Sequence, residues 1–130
     1  MKALSLKQPW ATVIVQGIKP IENRKWSTSY RGPLLIHASK NWDKEGAQWI
    51  VDHFPELKEL INWTNHLKGK IIGQVEMVNC VRHYNSEWFF GPYGLVFELA
   101  HEFYPEQAIP YKGELRIFEV SDLIKIPKRR

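Results

Sequence analysis

Between residues 17 and 31 the chain carries one carboxylate, Glu22, and four cations, Lys19, Arg24, Lys25 and Arg31, with Trp26 and Tyr30 among them. Side chains alternate between faces in an extended segment. An extended 18–26 therefore puts Glu22 and Arg24 on one face and Lys19, Ile21 and Asn23 on the other. A carboxylate and a guanidinium two residues apart pair with each other or jointly hold a polar ligand. Gly17 and Pro20 flank Lys19 and bend or fix the backbone, which lets its ammonium turn towards the same mouth. Spacing alone describes a surface strand with ordinary charges; the density of charge and aromatic surface is what marks this stretch as the candidate site.

Other chemistry-bearing residues are scattered. Glu76 shares a strand face with Gln74, and if that face turns inward it is a partly buried carboxylate suited to acid or base work; a solvent-facing strand glutamate fits equally well. His37 ends an apolar run, a place where a satisfied half-buried imidazole is the common finding, although strand ends are also where sites gather. Cys80 is the single cysteine and lies in the apolar run 75–81, so an inert half-buried thiol is expected and no intrachain disulfide can form. No His/Cys cluster has zinc-ligand spacing, and one carboxylate is not a metal site, so no metal or other cofactor is expected.

The elements that must position these residues follow from periodicity. Residues 2–6 read as a first strand and 9–16 as a helix, with Pro9 in its first turn, Trp10, Val13 and Ile14 at helical spacing, and Gly17 as C-cap. The extended 18–26 and a polar loop, 27–32, precede a buried strand over 33–38. Ala47, Ile50, Val51 and Phe54 form an i, i+3, i+4, i+7 stripe, and Pro55 stops that helix or starts a second one bearing Leu57, Leu60 and Ile61. A long strand over 71–82, a turn at 85–87 and an aromatic Gly/Pro turn over 89–94 come next. Strands over 95–100 and 115–120 flank an irregular connection, and 124–130 is a tail. The pattern of five or six strands, with helices only in the first half, predicts a small mixed barrel or an α+β domain, as one domain spanning 1–130.

Composition narrows the function classes. With 130 residues, 44% of them hydrophobic and 13% aromatic, the chain is long enough to bury a core without metal or disulfide staples. The formal charge is +4, yet Lys125, Lys128, Arg129 and Arg130 sit in the last six residues and leave 14 cations against 14 anions elsewhere. A basic tail adds salt-screened attraction to phosphate or serves as a solubilising end, so net charge is weak evidence for nucleic acid. The 42–67 helices are too poor in cations for a helix-turn-helix reader. The start is too short and interrupted for a signal peptide and no apolar run approaches a membrane span, so a cytoplasmic, membrane-free protein is expected.

Three blocks carry a family likeness: Leu4-Ser5-Leu6-Lys7-Gln8-Pro9-Trp10-Ala11, Gly17-Ile18-Lys19-Pro20-Ile21-Glu22-Asn23-Arg24 and Arg31-Gly32-Pro33-Leu34-Leu35-Ile36-His37-Ala38. They resemble the ASCH domain, whose recurring Gly-x-Lys-x-x-Glu-x-Arg is matched by Gly17, Lys19, Glu22 and Arg24. Gly73-Gln74-Val75-Glu76 and Ile109-Pro110-Tyr111-Lys112-Gly113 are also similar to it, and 42–67 is the least family-like segment. The resemblance implies a PUA-like β-barrel of mostly antiparallel strands, helices on its flank, and a cleft lined by the motif residues. It implies RNA, a nucleotide or a nucleoside as partner. Lys19, Glu22 and Arg24 would then bind, an aromatic (Trp10, Trp26 or Tyr30) would stack on a base, and His37 and Lys112 would be secondary members of the cleft.

Some small relatives hydrolyse N(4)-acetylcytidine and others are metal-dependent ribonucleases. The amidohydrolase branch resembles this chain at Lys19 but places a threonine nucleophile where this sequence has Glu22; its catalytic glutamate has only Glu76 or Glu87 as rough counterparts here. An enzyme would therefore rest on Lys19 and Glu22, with Glu76 assisting. Two flanking cations favour Glu22 as the anion and weaken it as a base, which makes binding at least as natural a role.

Overall fold

The computed structural model describes residues 1–128, with the side chains of residues 65 and 66 outside the description; Arg129 and Arg130 of the expected basic tail lie outside the described residues. Seven strands, β1 (Lys2–Gln8), β2 (Ile21–Arg24), β3 (Gly32–Trp42), β4 (Lys70–Val81), β5 (Tyr93–Glu102), β6 (Ile109–Pro110) and β7 (Ile117–Glu119), combine with three helices, α1 (Trp10–Val15), α2 (Lys44–His53) and α3 (Lys58–Trp63). The expected α+β class and the helices in the first half are found. The strand count exceeds five or six because Ile109–Pro110, read from sequence as irregular, pairs with the start of β4.

The sheet runs β2-β5-β4-β3-β1-β7, with β6 beside β4. Every pairing is antiparallel except β1 with β3, which is parallel. β2 and β7 end the path without pairing to each other, so among the described residues the sheet is open and the expected barrel closure is absent. Both end strands are short, four and three residues, which leaves little backbone with which to close a ladder. Register shifts at 6/8, 36/37, 74/76 and 77/79 insert bulges that bend the long strands.

The period-2 alternation of β1 and β3 explains the core. Leu4, Leu6, Leu34 and Ile36 face α1 in one cluster with Ile14, Ile72 and Phe97, while Ala3 and Leu35 face the other side with Ile71, Phe103 and Phe118. A third cluster joins Val13 of α1 and Ile21 of β2 to Ile50 and Ile61 of α2 and α3. The tail is more than a solubilising end, because Ile124 and Ile126 pack against the Phe118 cluster.

Of the boundaries that differ from expectation, three have a local cause. The extended 18–26 shrinks to β2 because the helix cap claims the N–H groups of Ile18 and Lys19, both bonded to Val13 O at 3.0 Å, and Pro20 has none. The strand over 33–38 lengthens to Trp42, which pairs with Gln8, so α2 starts later. The last strand begins only at Ile117 because Arg116 is left-handed, with φ 57°.

Candidate functional site

The site begins at the end of α1. Gly17, at φ 76°, donates to Ile14 O at 2.9 Å, and Ile18 donates to Val13 O, the paired bonds of a Schellman turn. That turn tucks Lys19 under the helix, where only 2% of its surface remains exposed. β2 then presents Glu22 and Arg24 on one face, as alternation predicts. Glu22 is held by both oxygens: Lys19 Nζ donates to Oε1 at 2.9 Å and Arg24 Nε donates to Oε2 at 3.1 Å. Arg24 Nη2 also donates to the carbonyl of Ser5 at 3.0 Å, tying the edge strand across to β1. The trio lines a cleft of about 510 Å³ together with Ser5, Lys7, Trp10, Asn41, Phe90 and the segment Glu114–Arg116.

Trp10 lies in the same cleft. Its indole N–H donates to Asp43 Oδ2 at 2.8 Å, and Lys19 Nζ lies 5.0 Å from its ring centroid. Asp43 Oδ1 accepts from the Gly46 N–H at 2.9 Å, capping α2. A Cβ at residue 46 would come within 2.6 Å of the Trp10 ring, so glycine is required by close approach. Burial pushes the Asp43 carboxyl up, but the bonds from Trp10 and the Gly46 backbone and the charge of Lys7 outweigh it, and the group sits below its ordinary value. Trp49 of α2 packs against Trp10 and Trp88, so the helices of 42–67 flank this cleft instead of a distant face.

Other expected members are elsewhere. The guanidinium carbons of Arg24 and Arg116 lie 5.9 and 5.5 Å from the Trp26 ring centroid, which puts Trp26 beside these two cleft residues without lining the cleft itself. Tyr30 donates its hydroxyl to Pro33 O and packs on the core; burial, then the charge of Glu76, raises its pKa. Glu76 is half-buried on β4 between Pro33 and Glu98, outside the cleft lining, and Glu87 is exposed in the turn.

His37 and Lys112 line a second cavity, of about 880 Å³, that adjoins the first through Ser5, Ser39, Glu114 and Leu115. His37 Nε2 lies 2.6 Å from the Tyr111 carbonyl, which only accepts, so Nε2 carries a proton. Nδ1, 2.9 Å from Ser5 Oγ, then accepts from that hydroxyl in the neutral ring. Burial lowers the His37 pKa, partly offset by the Tyr111 bond.

Four residues of the cleft escaped the sequence reading as functional candidates: Asn23, Phe90, Leu115 and Arg116. Asn23, on the opposite face of β2, accepts from the N–H groups of Phe90 and Gly91 at 2.7 and 3.0 Å and donates to Trp88 O at 3.0 Å. It thereby holds the aromatic turn so that Phe90, 64% exposed, stands at the cleft. Arg116 and Leu115, the latter 91% exposed, arrive from the segment before β7. The run Phe89-Phe90-Gly91-Pro92 was visible as a turn, but nothing local ties it to Asn23, 67 residues from Phe90.

The ASCH domain model matches residues 4–128 of the chain. Activating signal cointegrator 1 of Homo sapiens is 33% identical over 84 residues, and that of Mus musculus 31%, each match covering 60% of this chain and 14% of the relative. The matched stretch is thus a small part of each of those proteins.

Proposed function

The chain belongs to the ASCH domain family, and on that premise we propose that its cleft binds single-stranded RNA, taking up a nucleotide by charge and stacking. The observation that carries this reading is the double capture of Glu22 by Lys19 and Arg24. A carboxylate whose two oxygens each accept from a different cation fixes both cations in place, which suits Glu22 to a positioning role. Arg24, so oriented, uses Nε on Glu22 and one Nη2 hydrogen on Ser5, which leaves the rest of its donor fork for a phosphate or a base acceptor. Phe90 offers an exposed ring at the same cleft, and unstacked bases are held on such rings. Lys7 and Arg116 add charge at the rim.

The test is a salt-matched titration of labelled single-stranded RNA. Arg24→Ala is expected to weaken binding strongly and Lys58→Ala, an exposed cation on α3, to leave it nearly unchanged. Equal losses would mean that binding is diffuse attraction to any cation and would overturn the assignment. Release of cytidine from N(4)-acetylcytidine, or RNA fragmentation, lost in Lys19→Ala and Glu22→Ala, would replace binding by hydrolysis as the function of this cleft.

A further inference from the structure

The second cavity has a charge pattern of its own. Lys40 comes from β3, Lys68 from the turn before β4, Lys70 from the first position of β4, and Lys112 from the loop after β6; all four line it. Left-handed Gly69, at φ 76°, knits these segments: its N–H donates to Ala38 O at 2.7 Å and its carbonyl accepts from Tyr111 N at 3.2 Å. A Cβ there would come within 3.3 Å of Lys40 Cε, so the Lys40 stem lies over the glycine. None of the four ammonium groups pairs with a carboxylate among the described residues, and Glu114 is the one carboxylate in the lining. Four like charges gathered around one concave surface, against a single carboxylate that pairs with none of them, form an anion-attracting field.

The position of this field selects the anion. Ser5, Ser39, Glu114 and Leu115 line both cavities, so the lysine cavity adjoins the cleft that holds Arg24 and Phe90. A nucleoside monophosphate brings a single phosphate. A strand with one base in the cleft must carry its next phosphates somewhere, and the lysines stand there. Building on the cleft reading above, we propose that the Lys40/Lys68/Lys70/Lys112 cavity binds the phosphodiester backbone of the same RNA strand, which makes the ligand an oligonucleotide and not a mononucleotide.

The experiment compares wild type, Arg24→Ala and the triple variant Lys40→Gln/Lys70→Gln/Lys112→Gln. The probes are a mixed-sequence RNA of about eight nucleotides and a mixture of the four nucleoside monophosphates. These lysine side chains reach solvent and make no ion pair with described residues, so the triple variant is expected to keep the wild-type circular dichroism. It is expected to bind the oligonucleotide about tenfold more weakly, with the slope of log K against log salt reduced by about 0.7 for each phosphate no longer neutralised. Monophosphate binding should stay at the wild-type level. Wild-type oligonucleotide affinity and slope in the triple variant, with a loss in Arg24→Ala, would overturn the inference and leave the cleft reading standing. A loss in the triple variant with none in Arg24→Ala would overturn the cleft reading and the spanning strand with it. As a check that needs no variant, RNA bound to wild type should shield Lys40, Lys70 and Lys112 from acetylation while Lys58 stays reactive; unshielded lysines would also overturn the inference.

Discussion

Replacing Glu22 by glutamine tests the physical core of the site. The substitution keeps the shape and one acceptor oxygen but removes the charge that both Lys19 and Arg24 face at 2.9 and 3.1 Å. The consequences for the two cations differ because their exposure differs. Arg24 is 23% exposed and keeps its bond to the Ser5 carbonyl, so loss of its partner costs at most about 1 kcal/mol. Lys19, 2% exposed, is left as a buried charge whose remaining support is an amide oxygen and the Trp10 ring face. Stranding a buried charge costs about 3–5 kcal/mol, and a desolvated cation–ring contact returns about 1–2. Glu22→Gln should therefore destabilise the fold by about 2–3 kcal/mol, lowering the urea midpoint by about 1–2 M. Lys19→Met removes the stranded charge, so in the double variant the two losses should fall short of their sum by about 2 kcal/mol. Urea denaturation of the four proteins measures this. A Glu22→Gln variant within 0.5 kcal/mol of wild type (roughly the ordinary surface range), or strict additivity in the cycle, would refute a buried, charge-locked triad.

Three further outcomes follow from the same geometry. Phe90→Ala should leave thermal stability nearly unchanged, because the ring is exposed, yet weaken RNA binding by about 1–3 kcal/mol, the worth of one stacked base, in a fluorescence titration. His37 has its pKa lowered from 6.5 chiefly by burial, so the unfolded chain binds its proton first. The stability it contributes is fully present above pH 6.5 and is lost as pH falls from there through the lower folded value; that slope should vanish in His37→Gln. Gly113→Ala would place a Cβ 2.7 Å from His37 Cε1 and 2.8 Å from Ser5 Oγ, and should cost about 1–3 kcal/mol by overpacking, read by chemical denaturation.

What the sequence made legible was local. Trp10, Val13 and Ile14 announced α1, Gly17 its end, and the stripe Ala47–Phe54 announced α2, because a period of 3.6 and a left-handed cap are written in consecutive residues. Alternation placed Glu22 beside Arg24, and the bend at Gly17 and Pro20 brought Lys19 to them. The missing parts depended on pairings across the chain. Ser5 meets His37 only because β1 and β3 lie parallel, 32 residues apart, and His37 lines the lysine cavity, where its Nε2 donates to the Tyr111 carbonyl. Asn23 looked like the back of the strand, and only its bonds to Phe90 and Gly91 reveal that it supports the exposed Phe90 ring at the cleft. Tyr30 sat in the charged stretch by sequence, but its hydroxyl closes a turn on Pro33.

The most direct test of the proposal that the cleft binds RNA is to follow backbone amide NMR shifts of the wild-type protein while a short mixed-sequence RNA is added. A strand seated in the cleft should produce the largest changes at Ser5, Arg24, Phe90 and Arg116, which line it, and spare the exposed outer face of α3 around Lys58. Saturable shifts centred on α2 and α3, or no shifts at moderate salt, would contradict RNA binding at this cleft.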